Sequence, residues 1–104
     1  MADLYPFQDK VIVVSGASRG TGLALSRYLL VRGAKVSMAA TSEENLKKAV
    51  AGIEQDIPNV EDRVIYFPTD VRNPDDVKAW IEGTVARWGE LDGAANVAGG
   101  MIGS

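Results

Sequence analysis

The amino-acid sequence predicts an α/β fold, in which a parallel sheet of four strands carries helices on both faces and forms the first half of a doubly wound, three-layer arrangement. Short apolar runs alternate with helical stretches in the order β-α-β-α-β-α-β, which is typical of parallel strands joined by crossover helices. The first run, residues 11–14, leads through a glycine-rich turn directly into an apolar helical stretch. We therefore expect the strand order 3-2-1-4, with the ligand-binding edge at the carboxyl ends of the strands.

The elements of the first half of the chain each have a local signal. The first helix is predicted over residues 23–31 and ends at Gly33, and the second strand is predicted over residues 34–40. Thr41 and Glu44 have the spacing of a capping box, which predicts the start of a second helix. The apolar face of that helix is formed by four residues at helical spacing: Leu46, Ala49, Val50 and Ile53.

The second half continues the alternation. Residues 64–67 predict the third strand, and Asn73 followed by Pro74 predicts the start of the third helix, which ends at Gly89. Residues 91–96 predict a short fourth strand. The apolar stripe of the third helix, in which we interpret both tryptophans as packing residues, consists of Val77, Trp80, Ile81, Val85 and Trp88.

Length and composition limit the possible functions. The 104 residues are 46% hydrophobic, which predicts one small globular domain over residues 1–104. The net charge of −3 argues against nucleic acid or an anionic membrane as a partner. The absence of cysteine and histidine excludes disulfides, thiolate chemistry and the common zinc sites, so no metal site is expected. With no secretory signal and no long apolar run, we expect a cytoplasmic protein.

The turn between the first strand and the first helix has three glycines with the spacing Gly-x-x-x-Gly-x-Gly. Without a Cβ, backbone N–H groups can approach an anion closely, and the start of the following helix attracts negative charge. This context predicts a turn that binds a pyrophosphate, and the alternative is a plain connection between strand and helix. The candidate binding residues are Gly16, Ser18, Arg19, Gly20, Thr21 and Gly22.

The turn resembles the Thr-Gly-x-x-x-Gly-x-Gly motif of the short-chain dehydrogenase/reductase family, with Ser15 in the position of the threonine. Two further motifs extend the resemblance across residues 7–100. These are Asp70-Val71 and the run Asn96-Val97-Ala98-Gly99, which is similar to the family's Asn-Asn-Ala-Gly. The resemblance implies a Rossmann-like fold, a dinucleotide cofactor and an oxidoreductase that interconverts an alcohol and a carbonyl by hydride transfer.

The resemblance also implies roles for single residues. Asp70 contacts the adenine ring together with the backbone N–H of Val71, and Asn96 ties its strand end to the neighbouring strand beside the cofactor. Ala98 and Gly99 belong to the cofactor-binding backbone, where Gly99 lets the chain pass close to a ribose. For Asp70, the alternative is a turn carboxylate that forms hydrogen bonds with the local backbone. For the motif that begins at Asn96, the alternative is simply a glycine-rich chain end.

The end of the second strand indicates NADP(H) rather than NAD(H). A carboxylate there would accept hydrogen bonds from the 2′-hydroxyl of NAD, but the position falls at Ala40 and no acid follows before Glu43. Arg19 in the glycine turn supplies a cation for a 2′-phosphate, and Thr41 and Ser42 supply hydroxyl donors. The alternative for Thr41 and Ser42 is helix capping alone.

The family's catalytic Ser and Tyr-x-x-x-Lys are not found in these 104 residues, since none of Tyr5, Tyr28 and Tyr66 has a lysine four positions later. We therefore expect the cofactor-binding portion of such an enzyme, truncated before the catalytic half and without catalysis of its own. The alternative is a stand-alone nucleotide-binding or interaction module without redox activity. A chain ending after the fourth strand is also expected to expose an apolar sheet edge, and therefore to be marginally stable or to self-associate through that edge.

Overall fold

The structure, a computed structural model, describes residues 7–97, and in this range strands and helices alternate along the chain. The strands are β1 (Val11–Ser15), β2 (Lys35–Ala40), β3 (Val64–Pro68) and β4 (Gly93–Asn96). The helices are α1 (Gly20–Val31), α2 (Glu43–Asp56) and α3 (Pro74–Trp88). All neighbouring strands are parallel and lie in the order β3-β2-β1-β4, so the predicted fold class and strand order are confirmed.

The register of the sheet aligns the carboxyl ends of its strands. Ser15 at the end of β1 is paired with Ala39 on one side and with Asn96 on the other. Ala40 is paired with Pro68, which extends this line to the end of β3. The four segments that follow the strands therefore begin at the same edge of the sheet.

Alternate residues of the strands face two separate apolar layers. Val14, Val36 and Met38 are fully buried beneath α1 and α2. The same apolar cluster contains all four residues predicted for the apolar face of α2. Val13 and Ala39 point to the opposite face and pack against Trp80 of α3. The sheet is thus covered by α1 and α2 on one face and by α3 on the other, as expected for right-handed crossovers of a doubly wound sheet.

Three predicted boundaries are corrected by the structure. Helix α1 begins at Gly20 rather than residue 23, because the turn ends at Arg19, whose extended backbone makes it the N-cap. Helix α2 is capped by Ser42 rather than Thr41, since the Ser42 hydroxyl accepts a hydrogen bond from the backbone N–H of Asn45 at 3.1 Å. Strand β4 begins at Gly93 rather than residue 91, because the Asp92 carboxylate accepts from a backbone N–H of β1 at 2.8 Å.

Helix α3 has the predicted ends, and its buried face differs from the predicted stripe at one position. Asn73 accepts hydrogen bonds from the first-turn N–H groups, and Gly89 closes the helix with a φ of +82°. The predicted apolar stripe is wrong at Val85, which is 38% exposed, whereas Thr84 is fully buried. Of the two tryptophans, Trp80 is buried and Trp88 is half-buried, so the helix is rotated to place Thr84 against the sheet.

A buried polar cluster explains this rotation. The indole N–H of Trp80 donates to the Ser37 hydroxyl of β2 at 2.9 Å, and the Ser37 and Thr84 hydroxyls lie 2.7 Å apart in a hydrogen bond. The Thr84 hydroxyl also reaches the Trp80 carbonyl at 2.8 Å. Since an unpaired polar group is costly in an apolar interior, these bonds fix the orientation of α3 on the sheet.

Strand β4 has one hydrogen-bonded neighbour among residues 7–97, namely β1, so its other edge is unpaired in this range. Association of copies through this edge stays a prediction. No helix in the described range is long and apolar enough to cross a membrane.

Replacing Ser37 with alanine tests the role of the polar cluster. We expect Ser37→Ala to lower the free energy of unfolding by about 1–3 kcal/mol, because the indole N–H of Trp80 loses its acceptor while it stays buried. Urea unfolding followed by far-UV circular dichroism measures this change.

The matched control is a double-mutant cycle with Trp80→Phe, which removes the donor. The double variant should lose less stability than the sum of the two single variants, since neither partner is then left unpaired. Strictly additive losses would show that the Ser37–Trp80 bond does not hold α3.

Candidate functional site

A cleft of about 680 Å³ lies where the carboxyl ends of the strands meet the glycine turn. Its walls come from the turn and the first residues of α1, from the ends of β2 and β3, and from Val97 after β4. The structure brings nine of the predicted site residues together in its lining, namely Gly16, Ser18, Arg19, Gly20, Thr21, Gly22, Thr41, Asp70 and Val71. Ser42 and Asn96 are not among the lining residues, and Ala98 and Gly99 lie outside the described residues.

The glycine turn is packed tightly against the first turn of α1. A Cβ on Gly22 would lie only 2.6 Å from the carbonyl carbon of Gly16 and still closer to its oxygen, so no side chain fits there. Gly16 and Gly20 have φ angles of +61° and +58°, which other residues adopt at a cost. The backbone N–H of Ala17 donates to the Ala39 carbonyl at 3.0 Å and ties the turn to β2. These contacts leave a cradle of bare backbone at the floor of the cleft.

Helix α1 directs its N-terminus into this cradle. The first N–H groups of any α-helix have no partners within the helix. The N-cap residue Arg19 makes no side-chain capping bond, whereas Ser42 caps α2 and Asn73 caps α3. Donor N–H groups and the positive end of the helix dipole therefore face the cleft together, which is an arrangement that suits an anion.

The Ser15 hydroxyl links the ends of β1 and β4 beneath the cleft. It lies 2.8 Å from the Asn96 side-chain oxygen, to which it donates, and it accepts a hydrogen bond from the backbone N–H of Val97 at 3.0 Å. Asn96 thus ties its strand end to the neighbouring strand, in the manner that the family resemblance implies. Because the link needs only a hydroxyl, serine can stand where the motif has threonine.

The end of β3 carries an ion pair that the sequence analysis did not identify. Both oxygens of the Asp70 carboxylate are engaged by Arg72, with Nε 3.1 Å from Oδ1 and Nη2 3.3 Å from Oδ2. Oδ1 also accepts the backbone N–H of Arg72 at 2.9 Å. Hydrogen bonds from the side chain and then the backbone of Arg72 hold the pKa of Asp70 below its usual value, so the carboxylate is ionised at neutral pH.

This geometry is the local turn interaction that the sequence allowed as the alternative for Asp70. Its contact with adenine stays a prediction. A cation two residues after the aspartate was the signal that could have identified Arg72 from the sequence. The other lining residues that sequence reasoning missed are neighbours of predicted positions at strand ends: Ala40, Thr69 and Val97.

The charge in the cleft is predominantly positive. Arg19 and Arg72 line it, and Asp70 is the one carboxylate among its described lining residues. At the end of β2 the lining consists of Ala40 and Thr41, with no acid. Residues 7–97 contain no group of three acidic or other metal-ligating side chains that could hold a metal ion.

Comparisons with known proteins agree with this geometry. The family model described as short chain dehydrogenase matches residues 10–104. The chain is 42% identical over 94 residues to short-chain dehydrogenase/reductase aba4 of Botryotinia fuckeliana, which covers 90% of this chain and 35% of that protein. The levodione reductase of Leifsonia aquatica is 33% identical over 93 residues, which is 89% of this chain and 34% of that protein.

A solved structure supports the fold independently. The C-domain of a bacterial malonyl-CoA reductase, crystallised with NADP, superposes with a TM-score of 0.83 at 33% identity and covers 92% of this chain and 15% of that one. The present chain spans about 35% of the length of the curated relatives that it matches. With a family model that matches almost its whole length, this chain belongs to the short-chain dehydrogenase/reductase family.

Proposed function

We propose that the cleft binds NADP(H) and that the chain is the cofactor-binding portion of an oxidoreductase that interconverts an alcohol and a carbonyl. The observation that carries the proposal is the α1 N-terminus without a side-chain cap, packed on bare backbone at the carboxyl ends of the strands. A Cβ at Gly22 would fill this cradle, so the residues present fit a diphosphate. The bound nicotinamide would supply or accept a hydride.

The residues of the chain divide among the parts of the cofactor. The first N–H groups of α1 hold the diphosphate, and Ser18 and Thr21 add hydroxyl donors beside them. Asp70 and Val71 at the end of β3 hold the adenine. Asn96, with the motif residues Ala98 and Gly99 that follow it, supports the ribose at the end of β4.

The preference for NADP(H) follows from the charges at the end of β2. Arg19 is exposed in the cleft lining, and the Thr41 hydroxyl lines the same cleft. The Ser42 hydroxyl accepts a capping bond and keeps its proton for donation, so capping and phosphate binding are compatible. No carboxylate at this strand end offers an acceptor to a 2′-hydroxyl. These groups favour a 2′-phosphate over a 2′-hydroxyl.

Replacing Gly22 with alanine tests the cradle. We expect Gly22→Ala to weaken NADPH binding at least roughly tenfold, because its Cβ displaces the Gly16 backbone and separates the turn from the start of α1. Fluorescence titration of the chain with NADPH measures the dissociation constant, and circular dichroism reports whether the variant is folded.

Gly52→Ala is the matched control, since it also adds one methyl group to a helix but meets only the flexible end of Arg27. It should bind NADPH like the wild type. If Gly22→Ala does not fold, Gly20→Ala offers a milder test, because its Cβ enters open space and strains only the backbone. Unchanged affinity in a folded glycine variant would contradict the proposed diphosphate site.

Removing the Arg19 side chain tests the choice of cofactor. We expect Arg19→Ala to weaken NADPH binding roughly tenfold through the loss of a charge-assisted bond to the 2′-phosphate. NADH, which has no such phosphate, should lose less than about twofold. Parallel titrations of wild type and variant check this, and tighter binding of NADH than NADPH by the wild type would refute the preference.

We also propose that these 104 residues do not catalyse hydride transfer by themselves. A tyrosine with a lysine four positions later, which would deliver a proton to the substrate oxygen, is not found in the sequence. We expect NADPH oxidation with a panel of ketones, followed at the absorbance of the reduced nicotinamide, to stay at the rate without protein. Turnover that persists in a chain purified to homogeneity would show that another group supplies the proton.

A further inference from the structure

The Asp70–Arg72 pair orients a flat, charged group on the cleft wall. Two contacts from the guanidinium to the two carboxylate oxygens define both the position and the plane of the group. The Arg72 side chain is nevertheless 87% exposed, so its plane is open to a ligand in the cleft. A side chain with this exposure and no ligand would ordinarily be mobile, and here its own carboxylate partner orients it.

Stacking on a flat side chain is one common way to hold a purine base, and the described lining residues include no aromatic side chain. The two arginines are the only planar cations among them, and they differ in their surroundings. Arg19 stands at the N-terminus of α1 and is proposed to bind the 2′-phosphate. Arg72 stands at the end of β3, beside the residues proposed to hold adenine.

The pairing of Arg72 makes it better suited to a base than to a phosphate. Its positive charge is largely balanced by Asp70, so the pair attracts a second anion only weakly. Stacking needs the plane and the polarisability of the guanidinium, and both are kept when the group is paired. Both groups of the pair are charged at neutral pH, because the hydrogen bonds from Arg72 lower the pKa of Asp70.

We propose that Arg72, oriented by Asp70, stacks on the adenine ring of the bound dinucleotide and contributes affinity through the base. This inference rests on the proposed binding of a dinucleotide in the cleft. It assigns to Asp70 a positioning role for Arg72, in addition to the adenine contact that the family resemblance implies.

The test compares the wild type with Arg72→Ala, Arg72→Lys, Asp70→Asn and the double variant Asp70→Asn/Arg72→Ala, titrated with NADPH and with NADH. Arg72→Ala should weaken both cofactors by about 5-fold, because both carry adenine. Arg72→Lys should lose about as much, since lysine keeps the charge but not the plane. The double variant should bind both cofactors more weakly than Asp70→Asn alone, in which no carboxylate is left to repel the cofactor, and this comparison separates lost stacking from repulsion by an unpaired Asp70 carboxylate.

A dinucleotide with cytosine in place of adenine provides the ligand control. It offers a smaller stacking surface, so Arg72→Ala should change its affinity less than it changes that of NADPH. Arg87→Ala, which alters an exposed arginine on α3 away from the cleft, should bind all three ligands like the wild type.

Several results would overturn the inference. Wild-type binding by Arg72→Ala, or full rescue by Arg72→Lys, would show that no stacking takes place. A loss confined to NADPH would assign Arg72 to the 2′-phosphate, and recovery in the double variant to the affinity of Asp70→Asn would assign the loss to the bare carboxylate. These outcomes leave the proposed function standing, whereas a wild-type chain that binds neither NADPH nor NADH overturns both.

Discussion

The approach of α1 to the Gly16 carbonyl is the contact on which the candidate site depends. It is possible only because Gly22 has no side chain, and it brings the start of the helix onto the turn that leaves β1. Without this contact the N–H groups at the start of the helix would not converge with the turn backbone. The absence of a Cβ at one residue thus determines whether this edge of the sheet can receive an anion.

The sheet gives this contact its surroundings. Parallel register aligns the ends of β1, β2 and β4, and the Ser15 hydroxyl fastens two of them by its bond to Asn96. On the face of the sheet that α3 covers, the hydrogen bonds of Ser37 with Trp80 and Thr84 hold this helix in one orientation. Two buried serines therefore join elements that are distant in sequence: Ser15 joins β1 to β4, and Ser37 joins β2 to α3.

The sequence was sufficient for those features that depend on neighbouring residues. Alternating apolar runs predicted the strand order, and the Asn73-Pro74 start and the Gly89 end of α3 follow from local stereochemistry. It was insufficient where two adjacent residues satisfy one pattern, as with the Thr41 and Ser42 hydroxyls, because the choice depends on where β2 ends. It also failed where the partner is remote. Thr84 replaces Val85 on the buried face because the Trp80 indole meets a serine 43 residues away.

The central position of β1 has a consequence for the order in which the molecule can be assembled. The neighbouring strand β2 follows β1 after one turn and one helix. By contrast, the hydrogen bond from the backbone N–H of Val11, the first residue of β1, to the Asp92 carboxylate spans 81 positions. Closing such a long loop is slow relative to local pairing. During synthesis β1 precedes β4, so one side of β1 has no strand partner from this range until β4 is available. The edge of the sheet that forms the cleft therefore starts with the glycine turn after β1 and is completed only at β4, which makes it one of the last parts of the described fold to form.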